Sequence, residues 1–362
     1  MKTLDRSLAA SSPVAASRVL REKSSLQSLS SHPSIVRLLS TSKDAASLHF
    51  VLEPALGGPL FKHIRSSSSS SRAGSVVTCV SSRVSLAAYY GLSLVLALQY
   101  MHSLGIAHRD LKCSNVLLSS TGRCVIVDFG YSIALPKPPA KTYTYCGTLH
   151  AMSPELVARA GHDKTVDCWS FAVLLHEICT GGFPPFGFGV PSPREPGESR
   201  NTTERRIAEG SGAGRMRGEA RDEDDGGGPG KGRKLRFCAV QSSESESESE
   251  SSSPQSSCAF KTNLDFSSFA STSNGEHASD VIAAMLIADL SERLTDWEDV
   301  RRCELFAGLT VRQHGGGVET VQDEAPVFDR TLGQLEVYDE SASSEGPSGT
   351  LETIRNSLLK GF

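Results

Sequence analysis

Ile106-Ala107-His108-Arg109-Asp110-Leu111-Lys112-Cys113-Ser114-Asn115 is answered, thirteen residues after its asparagine, by Asp128-Phe129-Gly130. Between them run Val116-Leu117-Leu118, a Ser-Ser-Thr-Gly turn and Cys124-Val125-Ile126-Val127. Two short apolar segments around a glycine-containing turn predict a β-hairpin. Such a hairpin sets the Asp110–Asn115 segment beside Asp128 at one end. Two carboxylates, a lysine and an asparagine then converge. Carboxylate and amide oxygens suit a hard cation such as magnesium, and lysine suits a phosphate. A core hairpin flanked by unrelated surface charges would leave that clustering unexplained.

The pattern His108-Arg109-Asp110-Leu111-Lys112-x-x-Asn115, followed by Asp128-Phe129-Gly130, resembles the catalytic core of eukaryotic protein kinases. The resemblance implies an α+β, bilobal protein-kinase-like fold: a small β-rich N-lobe, here incomplete, and a larger, mostly helical C-lobe.

Length and composition agree with that size. The chain has 362 residues, enough for one large or two ordinary domains. A net charge of −4 gives no basic footprint for nucleic acid. No apolar run reads as long enough, and free enough of polar residues, to span a bilayer. The N-terminus lacks the apolar core of a signal peptide. Nine cysteines without CxxC pairs fit reduced thiols, so a cytoplasmic or nuclear location is expected.

Upstream of the motif, Val19, Leu20, Leu26 and Leu29 recur at near-helical spacing with Glu22 among them. His32–Leu39 reads as a turn into a strand, and Leu48–Glu53 as another strand, closed by Pro54 and Gly57-Gly58-Pro59. Arg21-Glu22-Lys23, Ile35-Val36-Arg37-Leu38 and Val51-Leu52-Glu53-Pro54…Leu56-Gly57-Gly58 are similar to the N-lobe of the AGC group, above all its cyclic-nucleotide-dependent kinases. No glycine-rich loop precedes them. Met1-Lys2-Thr3-Leu4 looks like the strand that carries the phosphate-pairing lysine, with Lys2 twenty residues before Glu22. A solvated terminal lysine is the other reading of Lys2. On the first reading two strands are missing, and an incomplete gene model, a fragment or a degraded kinase is expected.

Downstream, six serines at Ser66–Ser71 read as a flexible insertion. Ser85–His102 carries Ala87, Tyr90, Leu94, Leu98 and Met101 on one helical face. Val166–Ile178 is apolar nearly all round and therefore a buried helix, matching the family's central F-helix. Gly226–Gly230 and the alternating Ser-Glu tract Ser243–Ser253 are low in complexity and expected to be disordered, with Thr203–Gly210 and Lys234–Phe237 as surviving kinase segments. Ser279–Leu290 reads as an amphipathic helix. The organisation expected is a partial N-lobe over 1–57, a C-lobe over 58–186 with an insertion at 66–82, interrupted kinase segments over 187–278, the end of the C-lobe over 279–311, and an acidic tail over 312–362. The tail's last residue, Phe362, resembles weakly an AGC-type docking aromatic.

The resemblance then implies roles, residue by residue. Asp110 would orient and deprotonate a substrate hydroxyl, and Lys112 would neutralise the moving phosphoryl group. Asn115 and Asp128 would hold Mg2+ against ATP. Lys2, positioned by Glu22, would grip its phosphates, with Glu53 and Ala55 also at the nucleotide. Arg109 would clamp a phosphate on Thr144, placed there by an activating upstream kinase, and Thr148 would sit by the catalytic aspartate. Glu155, in Ser153-Pro154-Glu155, would pair with Arg293, and Asp167 would hold the catalytic loop from below. Of three carboxylates that read basic substrates in cyclic-nucleotide-dependent kinases, Pro59 and Ser114 replace two, and only Glu177 is retained. The expectation is a monomeric serine/threonine kinase acting on protein substrates without strong arginine dependence. A pseudokinase or fragment serving as a binding or scaffold module is the alternative, because the glycine-rich loop is absent.

Overall fold

Strand alternation decides the start of the chain: in β1 (Lys2–Asp5), Lys2 and Leu4 face inward while Thr3 and Asp5 face solvent. A computed structural model of the protein describes residues 1–65, 80–135, 141–188, 199–210, 264, 266–314 and 318–322. The serine run, Gly226–Gly230, Lys234–Phe237, the Ser-Glu tract and Phe362 lie outside the described residues.

After β1 come α1 (Arg6–Ala9), α2 (Pro13–Ser28), β2 (Leu38–Lys43) and β3 (Ser47–Leu52). The three strands form one antiparallel sheet in the order β1-β3-β2, with Lys2 opposite Phe50 and Leu4 opposite Leu48. Helix α2 starts where Ser12 caps the Ala15 N–H at 3.1 Å and Pro13 occupies the first turn, six residues before the apolar spacing suggested. Its inner stripe is Ala16, Val19, Glu22, Ser25 and Leu26. A glutamate among these apolar residues needs a partner, and Lys2 is that partner.

The larger body contains β4 (Gly58–Pro59), α3 (Leu60–Arg65), α4 (Val80–Ser103), β5 (Ile106–Ala107), β6 (Val116–Leu118), β7 (Cys124–Ile126), β8 (Ile133–Ala134), α5 (Pro154–Val157), α6 (Val166–Thr180), α7 (Arg200–Glu209), α8 (Ser273–Met285), α9 (Trp297–Arg301), β9 (Val311–His314) and β10 (Val318–Val321). The hairpin expected from the opening motif is β6–β7, with Val116 opposite Ile126 and Leu118 opposite Cys124. Helix α6 is buried from Val166 to Cys179 and packs against α4 and α8. It ends at Gly181, whose φ of +80° accommodates the left-handed cap.

Three expectations change. Helix α4 contains a stretch, Ser81–Ser103, long and apolar enough to cross a membrane by length and composition, contrary to the sequence reading. Most of that stretch is buried inside the protein, which accounts for its apolar surround as a core helix. Helix α8 spans Ser273–Met285, not Ser279–Leu290, because Thr272 caps the Gly275 N–H at 3.1 Å and starts the helix earlier. Finally, β9 and β10 pair as a hairpin in part of what reads as tail; Val318 is buried, and Val311 and Val321 pack partly buried against the main core.

Candidate active site

Strand β1 delivers the first contact. Lys2 Nζ donates to Glu22 Oε1 at 2.8 Å and to Asp128 Oδ1 at 3.1 Å. Burial acts against the lysine's charge, but Glu22 and Asp128 outweigh it and hold its pKa above the ordinary value. Asp128 is the mirror case: burial would raise its carboxyl, and Lys2 brings it below the ordinary value. Glu22 is almost wholly buried and Asp128 is 39% exposed, so the lysine joins an interior anchor to a carboxylate open to the cleft.

The hairpin brings the second set alongside. The Val127 N–H donates to the Asn115 carbonyl at 2.9 Å, joining the two ends of the motif. Asn115 Nδ2 donates to the Asp110 carbonyl at 2.8 Å and to Asp110 Oδ2 at 3.1 Å. Thr148 Oγ1 donates to Asp110 Oδ1 at 2.7 Å and accepts from Lys112 Nζ at 2.6 Å. Lys112 also lies 3.1 Å from Asp110 Oδ2. With its amide nitrogen engaged, Asn115 keeps its side-chain oxygen available as a ligand. Asp128 and that oxygen are hard donors of the kind magnesium takes, and Lys2 adds a cation suited to phosphate.

Backbone geometry is set for this arrangement. Arg109 and Asp128 adopt φ of +66° and +61°, a region that costs a side-chain-bearing residue roughly 1–3 kcal/mol. Asp167 offsets the cost at Arg109. Its carboxylate accepts the Arg109 and His108 backbone N–H groups, each at 2.8 Å, and His102 Nε2 at 2.8 Å. His102 Nδ1 accepts from Trp297 Nε1 at 2.8 Å, which fixes the ring as the Nε2–H tautomer. Burial opposes the Asp167 charge, but these hydrogen bonds prevail and hold its pKa below the ordinary value. His108 works similarly: Nδ1 accepts from the Asp110 N–H at 3.2 Å and Nε2 donates to the Val127 carbonyl at 3.1 Å. Its ring meets Phe129 edge-on at 5.0 Å. His108 belongs to the opening motif but carried no assigned role, and neither His102 nor Trp297 stood out in the sequence. His102 reads as an ordinary helix-end residue, and Trp297 lies 195 positions away from it.

The remaining candidate residues fall into four groups. Glu155 and Arg293 pair bidentately at 2.9 and 3.0 Å. Arg109 donates from Nε to the Tyr131 carbonyl at 2.8 Å and lies 3.5 Å from His162 Nε2. Thr144 is exposed, and the hydrogen bond described for its hydroxyl is to Thr142, at 3.5 Å, rather than to Arg109. His162 in turn bridges the backbone of Thr142, so the loop is linked to Arg109 indirectly. Glu177 is only 4% exposed, with His150 Nε2 at 3.4 Å. Glu53 and Ala55 do not join the polar cluster. Glu53 pairs with Arg37 at 3.2 Å, and both residues line a cavity shared with His32, Pro33 and Arg123.

Comparison with known proteins matches this geometry to a family. The protein kinase domain family matches residues 1–197, more than half of the chain. A cAMP-dependent protein kinase, catalytic subunit-like protein of Caenorhabditis briggsae is 39% identical over 155 residues, covering 43% of this chain and 36% of the relative. Ribosomal protein S6 kinase alpha-4 of Mus musculus is 38% identical over 165 residues, covering 45% and 20%. Aurora kinase A-A of Xenopus laevis is 37% identical over 167 residues, covering 46% and 37%. The chain thus spans about a third or less of the length of these relatives. By the family match and by relatives that include AGC-group kinases, the chain belongs to the protein kinase family.

Proposed function

We propose that the chain is a serine/threonine protein kinase that transfers the γ-phosphoryl group of ATP to protein hydroxyls. The observation that carries this reading is Lys2, held between Glu22 and Asp128 beside the Asp110–Lys112–Asn115 cluster. Asp110 orients the acceptor hydroxyl and takes its proton as the new oxygen–phosphorus bond forms and the bond to the ADP leaving oxygen breaks. Lys112 neutralises charge on the phosphoryl group in transit. Lys2 holds the phosphates that stay behind. Asn115 and Asp128 are the residues that would hold magnesium, which supplies further charge neutralisation when bound. Positioning and electrostatics carry such catalysis, so each partner in the cluster matters.

The test is γ-phosphoryl transfer from ATP to a mixture of protein substrates. Asp110→Ala should lower the rate by about 100-fold or more. Equal rates for the two proteins would remove the enzyme reading in favour of a binding or scaffold module. The regulatory part stands separately. Phosphate on Thr144 adds charge that Arg109 can clamp, so Thr144→Ala should lower the activity of chain treated with an activating kinase. Unchanged activity after that treatment would rule the switch out.

A further inference from the structure

The catalytic lysine adjoins a second cavity, of about 210 Å³, whose lining includes Lys112, Ser114, Arg65, His150, Glu177 and Phe188. Its one carboxylate is Glu177. That group is 4% exposed and has His150 Nε2 at 3.4 Å, so little of it is open to an incoming cation. Asp110, next to the cavity, is engaged by Thr148, Lys112 and Asn115.

Arg65 is in the opposite condition. It ends helix α3, and its guanidinium lies 5.7 Å from the centre of the Phe188 ring. It donates one long bond, 3.4 Å, to the Gly182 carbonyl. Among the described residues it has no carboxylate within ion-pair distance. The space it occupies is provided by Gly182: a Cβ there would stand 2.8 Å from Arg65 Nε. Among the described residues, a guanidinium with one long hydrogen bond and no carboxylate partner faces a cavity whose carboxylate lies beside His150, an arrangement that favours an anion over a cation.

We propose that this cavity receives an acidic side chain of the protein substrate, so that the chain phosphorylates serines and threonines set among carboxylates. The inference rests on the kinase reading of the adjoining site and adds its substrate class. Arg65 is the specificity residue, and His150 supports it by occupying Glu177. The sequence itself contains a segment of this chemistry. In residues 242–253, Glu244, Glu246, Glu248 and Glu250 alternate with serines. That segment lies outside the described residues, and it serves here as a probe.

The experiment uses the full chain, ATP and three peptides: the sequence of residues 241–254, the same peptide with every glutamate replaced by arginine, and a version with phosphoserine in place of each glutamate. The glutamate peptide should exceed the arginine peptide by about tenfold or more in kcat/KM, since like charges at such a site are rejected. Arg65→Glu should reverse that order, and Arg65→Gln should bring the two peptides close together. Comparing two peptides on one protein removes any loss from partial misfolding. Greater transfer to the phosphoserine peptide than to the glutamate peptide would identify phosphate as the preferred source of the anion. Arginine preference in the unmodified chain, or a preference indifferent to Arg65, would overturn the proposal while leaving the kinase reading intact. No transfer to any peptide, at a rate matched by Asp110→Ala, would instead overturn the kinase reading and this inference with it.

Discussion

Lys2 Nζ stands between two carboxylates, 2.8 Å from Glu22 and 3.1 Å from Asp128. Replacing it with methionine keeps the stem but leaves Glu22 buried with no cation, and leaves Asp128 without the group that lowers its pKa. Lys2→Met should therefore lower phosphoryl transfer by about 100- to 1,000-fold, in a protein that remains folded by circular dichroism. A smaller effect, below about threefold, would assign Lys2 to structure alone. At this scale much of the candidate site was legible. Asp110, Lys112, Asn115 and Asp128 share a motif whose spacing forces them together, and Lys2 and Glu22 have a separation that a strand and a helix can bring together. Asp167 was read as the support of the catalytic loop, but the residues that act through it were not legible. Trp297, His102 and Asp167 form a chain of hydrogen bonds, but nothing in local sequence links positions 102, 167 and 297. Arg65 was hidden for a different reason: only the fold reveals that no carboxylate among the described residues pairs with it.

At the scale of elements, the segment from Thr142 to His162 is fastened to the catalytic loop by His162, which faces the Arg109 guanidinium. Burial, and then Arg109, push its pKa down to about 4, against smaller opposing effects of Glu155, Asp163 and Asp167. The folded protein therefore binds fewer protons than the unfolded chain between pH 4 and 6.5. The stabilisation is fully present above the ordinary histidine value and is lost as pH falls towards 4, by up to about 3 kcal/mol at 1.36 kcal/mol per pH step. His32 is also held near 4, chiefly by burial, and acts in the same direction. A Tm series over this range should fall for the unmodified chain and fall less steeply for His162→Gln, the remainder coming from His32, His150 and the depressed carboxylates such as Asp128 and Asp167. Equal slopes would place the acid sensitivity elsewhere. Gly147 fastens the same segment by another means. Its φ is +97°, and a Cβ would stand 2.6 Å from the Arg109 carbonyl, so Gly147→Ala should displace the loop and cost activity before stability. Normal activity in that variant would show that the loop tolerates the shift. Elements with a strong apolar period were visible in the sequence, whereas their ends were set by single capping residues, Ser12 and Thr272. The β9–β10 hairpin was missed because Arg312-Gln313-His314 carries no apolar alternation, and its apolar residues are the scattered Val311, Val318 and Val321.

For the whole molecule, the decisive tie is Arg293 with Glu155, which are 138 residues apart. The arginine side chain is fully buried. Besides its two bonds to Glu155, it donates to the Ile287 and Ala288 carbonyls at 2.8 and 3.1 Å, and its guanidinium lies 4.9 Å from the Trp169 ring centre. This contact joins the segment after α8 to the start of α5 and to the face of the central helix α6. A buried pair of this kind need not add net stability over a well-packed apolar pair, because both charges lose their water. Breaking it from one side is different, since the surviving charge stays behind without a partner. Arg293→Met should cost roughly 3–5 kcal/mol, and Glu155→Gln a similar amount. The double variant should lose clearly less than the sum of the two. Denaturant unfolding of the four proteins measures that coupling. Additive losses would mean that the two side chains stabilise the fold separately, through Trp169 and the carbonyls on one side and α5 on the other. A large coupling would make their pairing the contact that closes the C-terminal part of the domain onto the platform carrying Asp167, and through it the catalytic loop.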